Sequence, residues 1–304
     1  MTDNLIRRIE GTQNPTVVGL DPTYEMIPSF LKQRALKYYG KTPKAVARMF
    51  YEFNCGIIDA IADIVPAVKP QIAMYEKYGI EGMDAYLQTV EYAKKRKLIV
   101  IGDIKRGDIS STAQCYAAHI DGTDIEGTHF DLWKEDFVTI NPYMGYDGIK
   151  PFCEAAKKRD KGIFVLLKTS NPSSSEIQDL IYNGAPLYEH VGGLISSWGE
   201  DSIGMYGYSR VGAVVGATHR EQGEALRKIC PHVFFLVPGY VAQGGKAEDL
   251  KGFFDEKHRG AIVNSSRGII AAYKKVDDAK EEDFAKYARD AALAMREDLR
   301  KAIY

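Results

Sequence analysis

Leu98-Ile99-Val100-Ile101-Gly102-Asp103-Ile104-Lys105-Arg106-Gly107-Asp108-Ile109 opens with an apolar run and ends in charge. The apolar part reads as a buried strand. Residues two apart on a strand face the same way, so Asp103 and Lys105 are expected to project together where the strand ends. Asp108 follows on the loop beyond. Two carboxylates then bracket one ammonium at the mouth of a pocket. Such a triplet keeps a lysine charged and lets it hand a proton to a developing anion. A structural ion pair at a strand end would leave the same pattern, so the surrounding segments have to discriminate.

Outward from this strand the same design recurs. Apolar segments rich in Val, Ile, Leu and Phe lie at Thr16–Asp21, Ala67–Ala73, Leu98–Lys105, Phe137–Tyr143, Gly162–Ser170, Val211–Thr218, Val233–Tyr240 and Ala261–Arg267. Stretches of helical patterning separate them, notably Lys44–Asp63, Glu81–Lys97, His219–Ile229, Lys246–Glu256 and Asp278–Ala302. Alternating strands and helices predict a parallel sheet, and near-continuous apolar runs predict that both faces are covered. Eight such units predict a closed (β/α)8 barrel, which typically takes about 250 residues. Residues 1–304 are expected to form one such domain, with a long insertion near 171–210. A doubly wound open sheet would carry the same alternation. It usually opens its first helix with Gly-x-Gly-x-x-Gly, which is missing after the first strand here.

The composition is that of a soluble globular chain: 304 residues, 45% hydrophobic and 27% charged. A formal net charge of −1 gives no reason to expect a nucleic acid or a membrane surface as partner. Cys55, Cys115, Cys153 and Cys230 are far apart, and the six histidines (119, 129, 190, 219, 232, 258) lack ligand spacing, so no metal site is expected. Isolated thiols suit a reducing cytoplasm. The opening Met1–Arg8 lacks the apolar core of a secretory signal, and no apolar run is long enough to span a bilayer.

In a barrel of this kind the chemistry sits at the carboxyl ends of the strands. The polar residues there are Asp21, Lys69, Asp103, Lys105, Asn141, Lys168, Ser170, Thr218, Gln243 and Arg267. Charge of both signs recurring at successive strand ends is costly unless used. Two segments suit a phosphate. Pro238–Gly245 follows the seventh strand and ends in Gln243-Gly244-Gly245, where backbone N–H groups can converge on an anion. Arg267, at the end of the eighth strand, offers a planar donor fork. The loops after strands seven and eight are the usual phosphate position.

At these residues the chain resembles the orotidine 5′-phosphate decarboxylase family, in its longer bacterial-type subfamily. The resemblance runs from Val18-Gly19-Leu20-Asp21-Pro22 to Ser266-Arg267-Gly268. It rests on Asp103-x-Lys105-x-x-Asp108, Ala67-Val68-Lys69-Pro70-Gln71, Asn141–Gly145, Ser174–Leu180 and Pro238–Gly245. It implies decarboxylation of orotidine 5′-phosphate without a cofactor or metal, with Lys105 protonating the C6 carbanion. Lys69, Asp103, Lys105 and Asp108 would form a charge array around the reacting carboxylate. Asp108 and Thr112 would reach a neighbouring subunit's site, which implies a homodimer. Asp21 and Lys69 would hold the ribose, Ser170 the pyrimidine edge, and Gln243, Gly244, Gly245 and Arg267 the phosphate. A metal-dependent sugar-phosphate decarboxylase or aldolase on a related barrel is one alternative, although Lys69 would repel the metal. A non-catalytic nucleotide-binding barrel is the other.

Overall fold

The computed structural model describes residues 1–240 and 246–303. Eight strands, β1 (Thr16–Leu20), β2 (Ala67–Pro70), β3 (Ile99–Arg106), β4 (Phe137–Ile140), β5 (Gly162–Lys168), β6 (Val211–Val215), β7 (Phe235–Val237) and β8 (Ala261–Ser265), close into a parallel barrel in chain order, with β8 pairing back to β1. Each lies in one of the apolar segments expected, except that β3 begins and ends one residue later. The runs are apolar because both sides are buried: β1, β6 and β8 have no exposed position.

The barrel core has two parts. Towards the amino ends of the strands Val17, Ala67, Ile99, Ile101, Phe137, Phe164, Phe234 and Ile262 fill the interior. The rings of Phe137 and Phe164 stack at 5.1 Å. The helix Thr2–Thr12, which the sequence reading did not include, closes this end with Leu5, Ile6 and Ile9. The larger cluster lies between strands and helices. Helix Pro43–Ile61 contributes Phe50, Phe53, Ile57 and Ile61 to it, each worth roughly 1.5–3 kcal/mol of burial. That helix starts where Thr42 accepts a hydrogen bond from the Ala45 N–H at 3.3 Å and Pro43 occupies the first turn.

The segment expected to be a helix over Lys246–Glu256 forms a 3-10 helix, Ala247–Phe253. Its buried residues are Ala247, Leu250 and Phe253. Their strict spacing of three lines up on one face at three residues per turn and would drift off it at 3.6.

The insertion carries a one-turn helix (Ser175–Gln178), a small hairpin pairing Ile181–Tyr182 with Ala185–Pro186, and a helix (Leu187–Gly199) that packs on β5 and β6. Asn183 and Gly184 both have positive φ, 48° and 83°, as a two-residue hairpin turn requires.

β3 is not regular to its end. Gly102 pairs with Val138 and Arg106 with Ile140, so Asp103, Ile104 and Lys105 stand opposite Thr139 alone. The bulge turns Lys105 into the left-handed region, φ 46°. The expectation that Asp103 and Lys105 converge through strand alternation is therefore corrected. They converge through a bulge at which the pleat has broken down.

Candidate active site

Asp103 is the centre of the site. Its side chain is 8% exposed, and the carboxylate accepts four side-chain hydrogen bonds. Oδ2 receives Lys69 Nζ at 2.5 Å and Gln71 Nε2 at 2.9 Å. Oδ1 receives Lys105 Nζ at 2.5 Å and Thr139 Oγ1 at 2.9 Å. Burial opposes the charge on Asp103. The ammonium groups of Lys69 and Lys105, with their hydrogen bonds, outweigh it and hold the carboxyl well below the usual range. Burial likewise opposes the charge on Lys69, and the carboxylates of Asp103 and Asp21 outweigh it and hold that ammonium raised. Lys105 differs from Lys69 in access: its side chain is 46% exposed, against 5%. One lysine is thus locked behind the carboxylate, and the other is presented on it.

These groups open into a cavity of about 740 Å³, large enough for a nucleotide-sized ligand. Lys69, Asp103, Lys105 and Thr139 form its charged wall. Leu166, Val214 and Leu236 from β5, β6 and β7 form an apolar wall. Ile177, Gln178, Leu187, Tyr188 and Val191 bring the insertion to the same cavity. Gln178 is tied to the end of β5 twice: Oε1 accepts the Thr169 N–H at 2.9 Å, and Nε2 donates to Thr169 Oγ1 at 2.8 Å.

The residues expected at the site fall into three groups. Lys69, Asp103, Lys105 and Ser170 line the cavity. Ser170 sits there because Gly216 leaves room for it: a Cβ on Gly216 would come within 2.8 Å of the Ser170 Cβ. Asp21, Asp108, Thr112 and Arg267 do not line the cavity. Asp21 follows β1 directly, and its Oδ1 is buried with no hydrogen-bond partner among the described residues. Asp108 was expected to bracket Lys105. Its carboxylate instead accepts the Ile109 N–H at 2.8 Å and forms no ion pair among the described residues. Thr112 is exposed on helix Ser110–Asp121. Arg267 is exposed and opens the short helix Arg267–Ile270. Gln243, Gly244 and Gly245 lie outside the described residues.

Thr139 and the apolar contribution of the insertion escaped the sequence reading. A threonine inside Phe137-Val138-Thr139-Ile140 looks like any β-branched strand residue. Only its pairing across the bulge marks it. Among the described residues no cluster of His, Cys, Asp and Glu side chains could hold a metal ion, and no helix is long and apolar enough to cross a membrane.

A closed eight-stranded parallel barrel with a lysine–aspartate–lysine array at the carboxyl ends of β2 and β3 is the architecture of a (β/α)8-barrel enzyme. Residues 15–281 match the orotidine 5′-phosphate decarboxylase / HUMPS family, and the chain belongs to that family. It is 43% identical to an orotidine 5′-phosphate decarboxylase of Clostridium tetani over 305 residues, covering 100% of this chain and 99% of the relative. Against the Caldicellulosiruptor saccharolyticus enzyme of the same name identity is 41% over 306 residues, covering 99% and 98%. Its fold superposes on the OMP decarboxylase of Leishmania donovani with a TM-score of 0.71 at 29% identity, covering 97% of each chain.

Proposed function

We propose that this chain decarboxylates orotidine 5′-phosphate to uridine 5′-phosphate, the last step of pyrimidine nucleotide synthesis, and that Lys105 delivers the proton to C6. Breaking the C6–carboxylate bond leaves an electron pair in an sp² orbital of C6, which the pyrimidine ring cannot delocalise. Carbon dioxide departs, and the Nζ–H of Lys105 protonates C6. Solvent then returns a proton to the amine. The observation that carries this reading is the pair of ammonium groups gripping opposite oxygens of one buried carboxylate. It fixes a cation beside the reacting carbon before the charge develops, so little reorganisation is needed at the moment of reaction. Lys69 keeps Asp103 ionised, and Asp103 keeps the Lys105 ammonium aimed into the cavity.

The remaining roles are those the family resemblance implies. Asp21 and Lys69 hold the ribose hydroxyls, and the orphaned Oδ1 of Asp21 is a free acceptor for one of them. Ser170 meets the pyrimidine edge. Arg267, with no side-chain partner among the described residues, takes the phosphate together with Gln243 and the backbone at Gly244 and Gly245. Asp108 and Thr112 serve the neighbouring site of a homodimer. The exposure of Thr112 supports this, as do Ile109, Tyr143 and Met144, large apolar side chains left open on the loops after β3 and β4. No cofactor takes part, and the enzyme acts in the cytoplasm.

The test is loss of the orotidine 5′-phosphate absorbance band, with uridine 5′-phosphate formed, in excess chelator and without added cofactor. A folded protein that leaves orotidine 5′-phosphate unchanged under these conditions, yet acts on sugar phosphates with Mg²⁺, would overturn the proposal.

A further inference from the structure

We infer that Thr139 is a positioning residue for the reaction proposed above, and that its hydroxyl holds the Lys105 ammonium in its productive place. The inference rests on that functional reading and on a closed ring of hydrogen bonds. The Lys105 backbone N–H donates to Thr139 Oγ1 at 3.0 Å. The Thr139 hydroxyl donates to Asp103 Oδ1 at 2.9 Å. The same Oδ1 accepts Lys105 Nζ at 2.5 Å. One hydroxyl therefore touches both ends of Lys105, directly at the backbone and through Asp103 at the ammonium.

The need for this hydroxyl follows from the bulge. Three residues of β3 face one of β4, so the regular ladder has no β4 carbonyl for the Lys105 N–H. The bond is partly buried, and an amide shielded from water without an acceptor is costly. Lys105 also has φ 46°, a left-handed conformation that costs a non-glycine residue on the order of 1–2 kcal/mol. Such a conformation persists only where its surroundings impose it. Thr139, 1% exposed, supplies the missing acceptor from the residue directly opposite. Its hydrogen goes to Asp103, because the ionised carboxylate can only accept. Among the described side chains that hydrogen-bond to Asp103, Thr139 alone also bonds the Lys105 backbone. Valine has nearly the same shape and would fill the space, but it would leave the amide unpaired and release Asp103 Oδ1.

Thr139→Val, Thr139→Ala and Thr139→Ser separate positioning from packing. Turnover of orotidine 5′-phosphate by the unmodified protein establishes the functional reading first. If it is absent, the failure belongs to that reading. Given turnover, the valine and alanine variants should lose about 100-fold in kcat, the scale of a misplacement near 1 Å. KM and the affinity for uridine 5′-phosphate should stay within about threefold, and serine should restore most of the rate. Exchange of the C6 hydrogen of uridine 5′-phosphate with D2O, which reads the proton transfer alone, should fall in parallel with kcat. A crystal structure of the alanine variant should show the Lys105 φ relaxed out of the left-handed region. Unchanged kcat in the alanine variant would overturn the inference, as would serine as impaired as alanine, or a loss confined to KM. If the valine variant does not fold, the alanine and serine pair carries the same contrast.

Discussion

Lys168 Nζ donates to Asp179 Oδ1 at 2.6 Å, joining a lysine 1% exposed at the end of β5 to a carboxylate 42% exposed in the insertion. The pair is asymmetric. The lysine cannot reach water, while the aspartate can leave. With the Gln178–Thr169 bonds beside it, it fastens the Ser175–Gln178 turn over the cavity.

Asp179→Asn should therefore destabilise the fold by about 1–3 kcal/mol, because it strands a buried ammonium. It should also raise KM, since Ile177 and Gln178 lose their hold on the cavity wall. Lys168→Met added to Asp179→Asn should recover part of the stability but not the KM, because the stranded charge is gone and the tether is still missing. Thermal melts and steady-state kinetics of the two variants check this. A single variant with the melting temperature and KM of the parent would show that the pair fastens nothing.

Lys105→Ala should lower turnover by at least about 10³-fold, the scale of losing a general acid together with its charge. Binding of uridine 5′-phosphate should persist, because the contacts proposed for Asp21, Ser170 and Arg267 remain. Retention of near-normal turnover would remove Lys105 from the role of proton donor.

Asp108 and Thr112 do not line their own cavity, and this sets up a complementation experiment. Lys105→Ala and Asp108→Asn subunits, each inactive alone, should regain activity on mixing. Every hybrid dimer would hold one intact site, so random exchange should return about a quarter of full activity. No regain in a preparation shown to contain hybrids would place Asp108 in its own subunit's site or in none.

Asp103 predicts an acid limit to stability. Its carboxyl is held below its unfolded value by Lys69 and Lys105, against the opposing pull of burial. Below about pH 4 the unfolded chain takes up a proton that the folded chain refuses. The stability from this array is complete above that pH and is lost as the pH falls towards the folded pKa. Chemical denaturation between pH 2 and 5 should show a pH slope steeper than that of Asp103→Asn, by up to about 1.4 kcal/mol per pH unit. Equal slopes would mean that Asp103 carries no such linkage.

The barrel was legible because its signal is local. Each strand is buried on both faces, so each is apolar along its length, and Leu98–Ile101 announces itself without reference to any partner. The same logic exposes Lys69, Asp103, Lys105 and Ser170, since a barrel strand can carry charge or polarity only where it leaves the core. Spacing of three in Ala247, Leu250 and Phe253 is also present in the sequence, but three apolar positions do not distinguish a 3-10 helix from an α-helix.

Local sequence sufficed for the eight strands, the closed (β/α)8 barrel they build, and the strand ends that carry charge. These depend on a residue's own burial and on its near neighbours. Only the tertiary structure decided how the array is held. The bulge that sets three residues of β3 against Thr139, the left-handed turn at Lys105, and the Lys168–Asp179 tie are properties of register between segments. Register depends on how the twist and stagger of eight strands add up around a closed barrel, and no single strand records that sum. A threonine in one strand and a lysine in another become one site only when the barrel closes.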